Sequence, residues 1–277
     1  MNPTDPFAQV LLEHPAVAAH LPAGGTAPTD PALRLARAML TAVRPVREAA
    51  ITADPLGVEL AADLLVVVEA ALVAAATAAA PDTTPAVRAL TAWRVHRDAA
   101  GAVGGVLALL GPEDRGAVAA LADEVRRHPG DTVRLARDAR REVLDRPGLD
   151  AVLAEIEAST PARTPDYLAP AATAVRELVP VLRDVVEEDY RLDDEGVDAG
   201  LAYLLDPLSA CHTGALLVAH AARRLADGDA RAATVARRWC YARVRSTTLE
   251  GLSPRHLAKS RQLVAGGPVV VESGTPA

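Results

Sequence analysis

The chain has 277 residues, 50% of them hydrophobic, and its 29 basic and 36 acidic residues give a formal net charge of −7. The apolar content excludes a mostly disordered chain, and the negative charge argues against a nucleic-acid binder driven by overall charge. Two cysteines cannot form a disulfide framework, and the first ten residues show no basic segment followed by an apolar run, as a secretory signal would. We therefore expect a soluble cytoplasmic protein.

Alanine and leucine dominate, β-branched runs are short, and prolines and glycines lie far apart, which is typical of a mostly helical chain. Residues 1–31 are rich in Pro, Thr and Gly and are expected to form an irregular arm. Asp131 and Asp229 are predicted helix N-caps, and Gly228 is a predicted helix stop. The predicted helices span, in chain order, residues 32–50, 56–80, 85–110, 113–127, 132–145, 149–158, 167–189, 194–205, 207–227 and 230–248.

The predicted helix over 56–80 is apolar enough to raise the question of a membrane span. Asp63 and Glu69 leave only residues 70–80 uncharged, and a segment of this length cannot cross a bilayer that requires about 20 residues. We therefore predict a buried core helix that packs antiparallel to the next helix through a link at about 81–84. The residues predicted to be buried are Leu64, Val67, Leu72 and Leu110.

The segment 159–165, S-T-P-A-R-T-P, has the composition of a linker. It predicts two helical lobes, a bundle over 32–158 and a second lobe over 166–250. Residues 251–277 are rich in Gly, Pro and Val and are predicted to form a loose tail.

Charge is unevenly distributed along the second half of the chain. Residues 166–200 hold ten acidic and three basic groups, whereas residues 221–261 hold ten basic and three acidic groups. Such runs are typical of solvated helix faces. The alternative is that the second run forms a basic patch for an anionic ligand or partner.

The histidines and cysteines give little evidence of a metal site or a reactive thiol. The spacings of His14, His20, His212 and His220, without the carboxylates of a bundle metal site, predict no metal ligand set. Two arginines beside Cys240 could lower the pKa of its thiol, but its helical spacing with neighbouring apolar residues predicts a core position. The sequence contains no nucleophile elbow, phosphate loop or dinucleotide motif, so no self-contained active site is visible.

Several segments resemble the C-terminal helical region of the acyl-CoA dehydrogenase family, in the branch of the alkylation-response flavoproteins. Residues 62–72, A-D-L-L-V-V-V-E-A-A-L, are similar to one family helix, and residues 92–97, A-W-R-V-H-R, to the Trp and basic residues of the next. Residues 109–114 stand where the family has L-G-G-N-G-Y, and residues 149–156 resemble its L-D-A-L-L-x-E-L segment. The resemblance covers about 56–248 and implies an all-α helical bundle like that C-terminal domain. The alternative is an unrelated Ala-rich bundle.

The family resemblance also implies site residues. Family members remove an α-proton from an acyl thioester with a glutamate while bound FAD accepts a hydride. In this sequence His128 stands at the glutamate position, and the positions implied to contact the flavin are Trp93, Arg94, Arg97 and Gly111. Gly111 alone remains of the glycine-rich turn. The catalytic base and the flavin loop of the family are therefore not retained.

Two functions follow from the resemblance. The first is a helical subunit of a heteromeric flavin-dependent acyl-CoA-type oxidoreductase, in which FAD is bound through a partner chain and none is expected on the isolated chain. A complete family member has an N-terminal helical domain and a β-domain, and no strand-rich stretch precedes residue 56 here. The second is a non-catalytic helical scaffold or interaction protein derived from the same fold. A third class, a ligand-sensing regulator, is not supported, because the sequence shows no helix-turn-helix with a basic recognition helix.

The apolar helices also predict association. Because a helix that is hydrophobic all round must be covered on every side, we expect a homo- or hetero-oligomer, with a possible acyl-CoA dehydrogenase-like partner, that uses the regions 56–111 and 207–248.

Overall fold

The computed structural model describes residues 30–50, 54–110, 115–128, 131–144, 146–189, 194–245, 261–263 and 265. All regular elements in these ranges are helical, which confirms the all-α prediction. In chain order they are α1 (Pro31–Ala50), α2 (Pro55–Ala78), α3 (Pro85–Leu109), α4 (Arg115–Arg127), α5 (Thr132–Val143), α6 (Arg146–Ser159), α7 (Ala169–Asp189), α8 (Asp194–Ala226) and α9 (Arg231–Trp239), which continues as a π-helical turn over Cys240–Val244.

Side-chain caps fix several helix ends. Asp54 accepts a hydrogen bond from the backbone N–H of Gly57 at 2.9 Å, and Asp131 accepts one from that of Arg134 at 2.7 Å. Each bond satisfies a donor that the first turn of a helix leaves unpaired. The predicted cap at Asp131 is therefore confirmed.

The turn between α8 and α9 follows the prediction at Gly228. Gly228 has a φ of 82°, a backbone conformation that costs glycine little because it has no Cβ. The N-cap of α9 is Ala230 rather than the predicted Asp229. Asp229 lies one residue earlier, and its carboxylate accepts a hydrogen bond from the backbone N–H of Arg231 at 2.9 Å.

Helix α8 corrects the prediction of two helices over 194–205 and 207–227. A single helix runs from Asp194 to Ala226 with Pro207 inside it. Proline removes one backbone donor from the helix. Leu205 and Leu208, on either side of the proline, are fully buried, so packing holds the helix together.

Helix α2 lies between two hydrophobic clusters. Val66, Ala70 and Val73 belong to a larger cluster with residues of α3 and α5 to α9. Leu65 and Leu72 belong to a smaller one with α1, α3 and α4. Helix α2 is therefore covered on opposite sides, as the sequence predicts for a core helix.

By length and composition α2 is also the one helix among the described residues that could span a membrane. In the protein, 78% of its most apolar window is buried against other helices. That burial is what a core helix of this composition would show.

The start of α2 lies beside the end of α3. A Cβ placed on Gly105 would lie 3.5 Å from Cδ1 of Leu64, so the two helices run antiparallel, as predicted. Leu64 and Leu72 are buried, whereas Val67 and Leu110 are only partly buried, contrary to prediction. Val67 packs against both hydrophobic clusters but keeps part of its surface exposed, and Leu110 follows the last residue of α3.

Residues 160–168 connect α6 to α7 in turns, and the larger cluster contains residues from both sides of this connection. The division into lobes at 159–165 stays a prediction. Of the predicted arm over 1–31, residues 1–29 lie outside the described residues, as does most of 251–277, and Pro31 already belongs to α1. Leu263, in the predicted loose tail, is fully buried in the larger cluster.

We predict that Leu64→Asp lowers the free energy of unfolding by about 3–5 kcal/mol, because it places an unpaired carboxylate between α2 and α3. The matched control is Val133→Asp, at a valine that is 61% exposed, for which we expect a change below about 1 kcal/mol. Urea unfolding measures both. Equal effects of the two substitutions would contradict this placement of Leu64.

Candidate functional site

Helix α3 carries three of the four residues implied to contact a flavin. Arg94 is fully buried, and its guanidinium donates from Nε to Asp98 at 2.8 Å and from Nη1 to Asp206 of α8 at 2.7 Å. Its Cζ lies 4.8 Å from the centre of the Trp239 ring of α9. This side chain therefore ties α3 to α8 and α9.

Arg97 lies at the rim of the same cluster. Its Nη1 is 2.8 Å from Oδ1 of Asp206, and its Cζ is 5.4 Å from the centre of the Trp93 ring. The Arg97 side chain is 41% exposed, whereas Trp93 is 2% exposed. Of the three, only Arg97 is open to solvent.

Arg94 and Asp98 form an ion pair that is buried in the core. Burial raises the pKa of the Asp98 carboxyl, and the guanidiniums of Arg94, Arg243 and Arg97 act in the opposite direction. Nη2 of Arg94 and the hydroxyl of Thr91 are buried with no hydrogen-bond partner among the described residues. Because Thr91, Arg94 and Asp98 are three and four residues apart, they share one face of α3.

His128, the residue at the position of the family base, lies at the end of α4 and is buried. Its ring packs edge-on against that of His96 of α3, with 5.1 Å between the centres. Nδ1 of His96 is 3.3 Å from the hydroxyl oxygen of Thr132 in α5. Burial lowers the pKa of His96, with opposing contributions from a hydrogen bond to the backbone of Val125 and from Asp131.

The predicted site residues do not converge. His96 and Arg94 are two residues apart on α3, which corresponds to about 200° around a helix, so the histidine pair and Arg94 lie on opposite sides. Gly111 lies outside the described residues.

The residues present do not fit a flavin site. Trp93 and Arg94 are each 2% exposed, and the guanidinium of Arg94 is held by two carboxylates inside the protein. A flavin could reach neither side chain without breaking these contacts.

The prediction that Cys240 occupies a core position is confirmed. It is fully buried at the start of the π-helical turn, and burial raises the pKa of its thiol. Burial likewise raises the pKa of Cys211 to about 12. Within the described ranges, no group of three or more His, Cys, Asp and Glu residues could hold a metal ion.

The sequence analysis missed the partners of Arg94. The spacing of Arg94 and Asp98, four residues on a helix, was a readable signal for an ion pair. Asp206 and Trp239 come from distant parts of the chain, and no local pattern marks them.

Comparison with known proteins shows the fold. No family model and no curated protein matches the chain. Among solved structures, Caenorhabditis elegans ACDH-11 in complex with C11-CoA matches with a TM-score of 0.60 and 16% sequence identity. The match covers 84% of this chain and 45% of the ACDH-11 chain. The chain thus spans less than half the length of that acyl-CoA dehydrogenase.

The protein is therefore an all-α bundle with an acyl-CoA dehydrogenase-like fold, resembling the C-terminal helical domain of that class. The fold predicted from the sequence is confirmed.

We predict that Arg94→Met lowers the free energy of unfolding by about 3–5 kcal/mol, because it leaves the Asp98 carboxylate buried without its partner. The double variant Arg94→Met, Asp98→Leu should recover most of this loss. Arg97→Met, at the exposed rim, should cost less than about 1 kcal/mol. Urea unfolding of the three variants tests the prediction, and a double variant no more stable than Arg94→Met would contradict it.

We also predict a pH dependence that arises from His96. Because its pKa in the folded state lies below the ordinary 6.5, its contribution to stability is complete above that pH. The contribution is lost as the pH falls from 6.5 toward the folded-state pKa. Urea unfolding at pH about 7.5 and about 5.5 should show a smaller loss for His96→Gln than for the unmodified chain. The comparison isolates His96, since the buried carboxyls are the same in both proteins, and an equal loss would contradict the prediction.

Proposed function

We propose that this chain is the helical subunit of a heteromeric, flavin-dependent acyl-CoA-type oxidoreductase and acts through association with an acyl-CoA dehydrogenase-like partner chain. The acyl-CoA dehydrogenase-like fold of the chain supports an oxidoreductase assembly of this class. The segments over 62–72 and 149–156 support a place near the alkylation-response branch. The observation that carries the proposal is an uncovered apolar surface on the two central helices.

This surface, the α2–α3 face, consists of Leu56 and Leu60 of α2 with Gly101 and Gly104 of α3. The two leucines are 67% and 47% exposed, respectively. The two glycines are exposed, and a Cβ on either would meet nothing within 4 Å. Contact between Leu64 and Gly105 brings the two helices together here.

Its composition favours a protein partner. Clustered exposed leucines are uncommon on monomeric proteins and mark association sites. Glycines with open space above them allow the backbone of another helix to approach closely. The two charged residues along this stretch of α2, Glu59 and Asp63, are both bound by Arg238.

The proposal assigns the chemistry to the partner chain. Trp93 and Arg94 are engaged inside the core and do not fit a flavin, so FAD and the acyl-CoA thioester would be held by the partner. The isolated chain then binds no FAD and has no acyl-CoA dehydrogenase turnover. Two buried free cysteines fit the reducing conditions of the cytoplasm, where we place the protein.

A second candidate is a non-catalytic scaffold of the same fold. It is favoured by one observation: Arg94, at a position implied to contact the flavin, serves as an internal link among α3, α8 and α9. The two candidates differ in whether the partner carries a flavin.

We predict that the chain co-purifies with an acyl-CoA dehydrogenase-like protein encoded beside it, as a yellow complex with a mass above that of either chain. Leu56→Ser with Leu60→Ser should abolish this complex, because both leucines lie on the α2–α3 face. The control, Val133→Ser with Val181→Ser, changes two valines that are 61% and 52% exposed on other helices and should leave the complex intact. Light scattering and flavin absorbance are the measurements.

A chain that remains a colourless monomer beside that protein would contradict the proposal. A colourless complex would favour the scaffold. Turnover of acyl-CoA thioesters by the chain alone, lost in His128→Ala, would contradict the assignment of the chemistry to the partner.

A further inference from the structure

Helix α5 presents three rows of side chains to solvent. The central row is basic and consists of Arg134, Arg137 and Arg141, which are exposed and lie three and four residues apart. Asp138 and Glu142, which are partly exposed, form an acidic row along one edge of it. Val133, which is exposed, lies along the other edge. Around α5 the order of the rows is therefore acidic, basic, apolar.

Helix α7 also presents three rows, and the two charges are exchanged. The central row is acidic and consists of Glu177 and Asp184, which are exposed and lie seven residues apart. Along one edge lie Arg176 and Arg183, and along the other lie the exposed residues Val181 and Val185. At about 100° per residue, the order basic, acidic, apolar runs around α7 in the opposite rotational sense to the order acidic, basic, apolar around α5.

Helix α6 packs against both α5 and α7 and runs antiparallel to each. Only residues 144–145 link α5 to α6, a connection typical of an antiparallel helix pair. Nη2 of Arg176 donates to the carbonyl of Pro161, which follows α6. Farther along α7, Nη2 of Arg183 lies 3.5 Å from Oε1 of Glu157, which is earlier on α6. Helices α5 and α7 therefore run parallel to each other.

This arrangement is self-complementary. A two-fold axis along α6 places α5 of one copy over α7 of the other, and the same contact forms twice. Because the helices are parallel and their rows follow opposite rotational senses, the arginine row of α5 meets the carboxylate row of α7. The carboxylates of α5 then meet the arginines of α7, and Val133 meets the valine row. Between them, Ala154 and Ala158 are exposed on α6 and are small enough for close approach.

We propose that the exposed sides of α5, α6 and α7, the α5–α7 face, form a homodimer interface whose occupant is a second copy of this chain. Each basic row is bordered by carboxylates, so a nucleic acid or an anionic membrane would meet repulsion that the second copy avoids. The interface is isologous and closes at two chains. It uses helices other than those of the α2–α3 face, so the dimer leaves that surface open.

Sedimentation equilibrium of the full chain is the first measurement. The unmodified chain should be a dimer at about 50 mM salt, and its dissociation constant should rise at least about tenfold at about 500 mM, because salt screens exposed charges. Arg137→Glu with Arg141→Glu should raise the dissociation constant at least about 100-fold, since carboxylates then face carboxylates. Glu177→Arg with Asp184→Arg should do the same by placing arginines against arginines.

Mixing the two charge-reversed variants gives the decisive result. The mixture should form a dimer although each variant alone does not, because the reversed α5 of one matches the reversed α7 of the other. The control Leu56→Ser with Leu60→Ser, on the α2–α3 face, should leave the dimer of the otherwise unmodified chain intact.

A monomeric unmodified chain at low salt would overturn the proposal. So would a mixture that fails to associate while both variants keep the helical circular dichroism of the parent. A dimer that is lost in the leucine control but kept in both charge-reversed variants would also overturn it. The salt dependence requires no variant and therefore tests the interface even if a charge reversal prevents folding.

Discussion

The structure depends on the burial of α2, a helix that is apolar on nearly every side. Two hydrophobic clusters meet on it, and each includes helices that cover one of its sides. Its three carboxylates are all met by α9: Arg238 binds Glu59 and Asp63, and Arg231 binds Glu69. Because a buried carboxylate costs several kcal/mol unless it is paired, the buried pair of Arg231 with Glu69 fixes where α9 lies. The N-terminal end of α2 is less covered by other helices, and Leu56 and Leu60 are exposed there.

The pairing of buried charges also explains why the candidate site resembles part of a hydrophobic core. On α3, Arg94 is neutralised by Asp98 and Asp206 and packs on Trp239, so a residue at a family ligand position is used to join three helices. His128 is turned to the opposite side, against His96. The acyl-CoA dehydrogenase-like fold is therefore kept while the residues at its implied site serve packing. This is the physical basis for assigning flavin chemistry to a partner chain.

The α2–α3 face differs from the rest of α2. It is open and lined by leucines and glycines, which suits a helix of a partner chain. Farther along, α2 is covered on opposite sides by the other helices of the two hydrophobic clusters. A partner could therefore engage the face without displacing a helix of this chain.

The sequence by itself determined the helices and the burial of α2, because capping residues, prolines and apolar composition act locally. The sequence predicted the N-cap at Asp131, the helix stop at Gly228 and the core position of Cys240. The fold resemblance was readable too, since it follows the order of helical segments. Only the tertiary structure decided that α8 continues through Pro207, that Arg94 meets Asp206 and that Leu263 is buried. These outcomes depend on contacts between residues far apart in the chain, whose energies no local pattern contains.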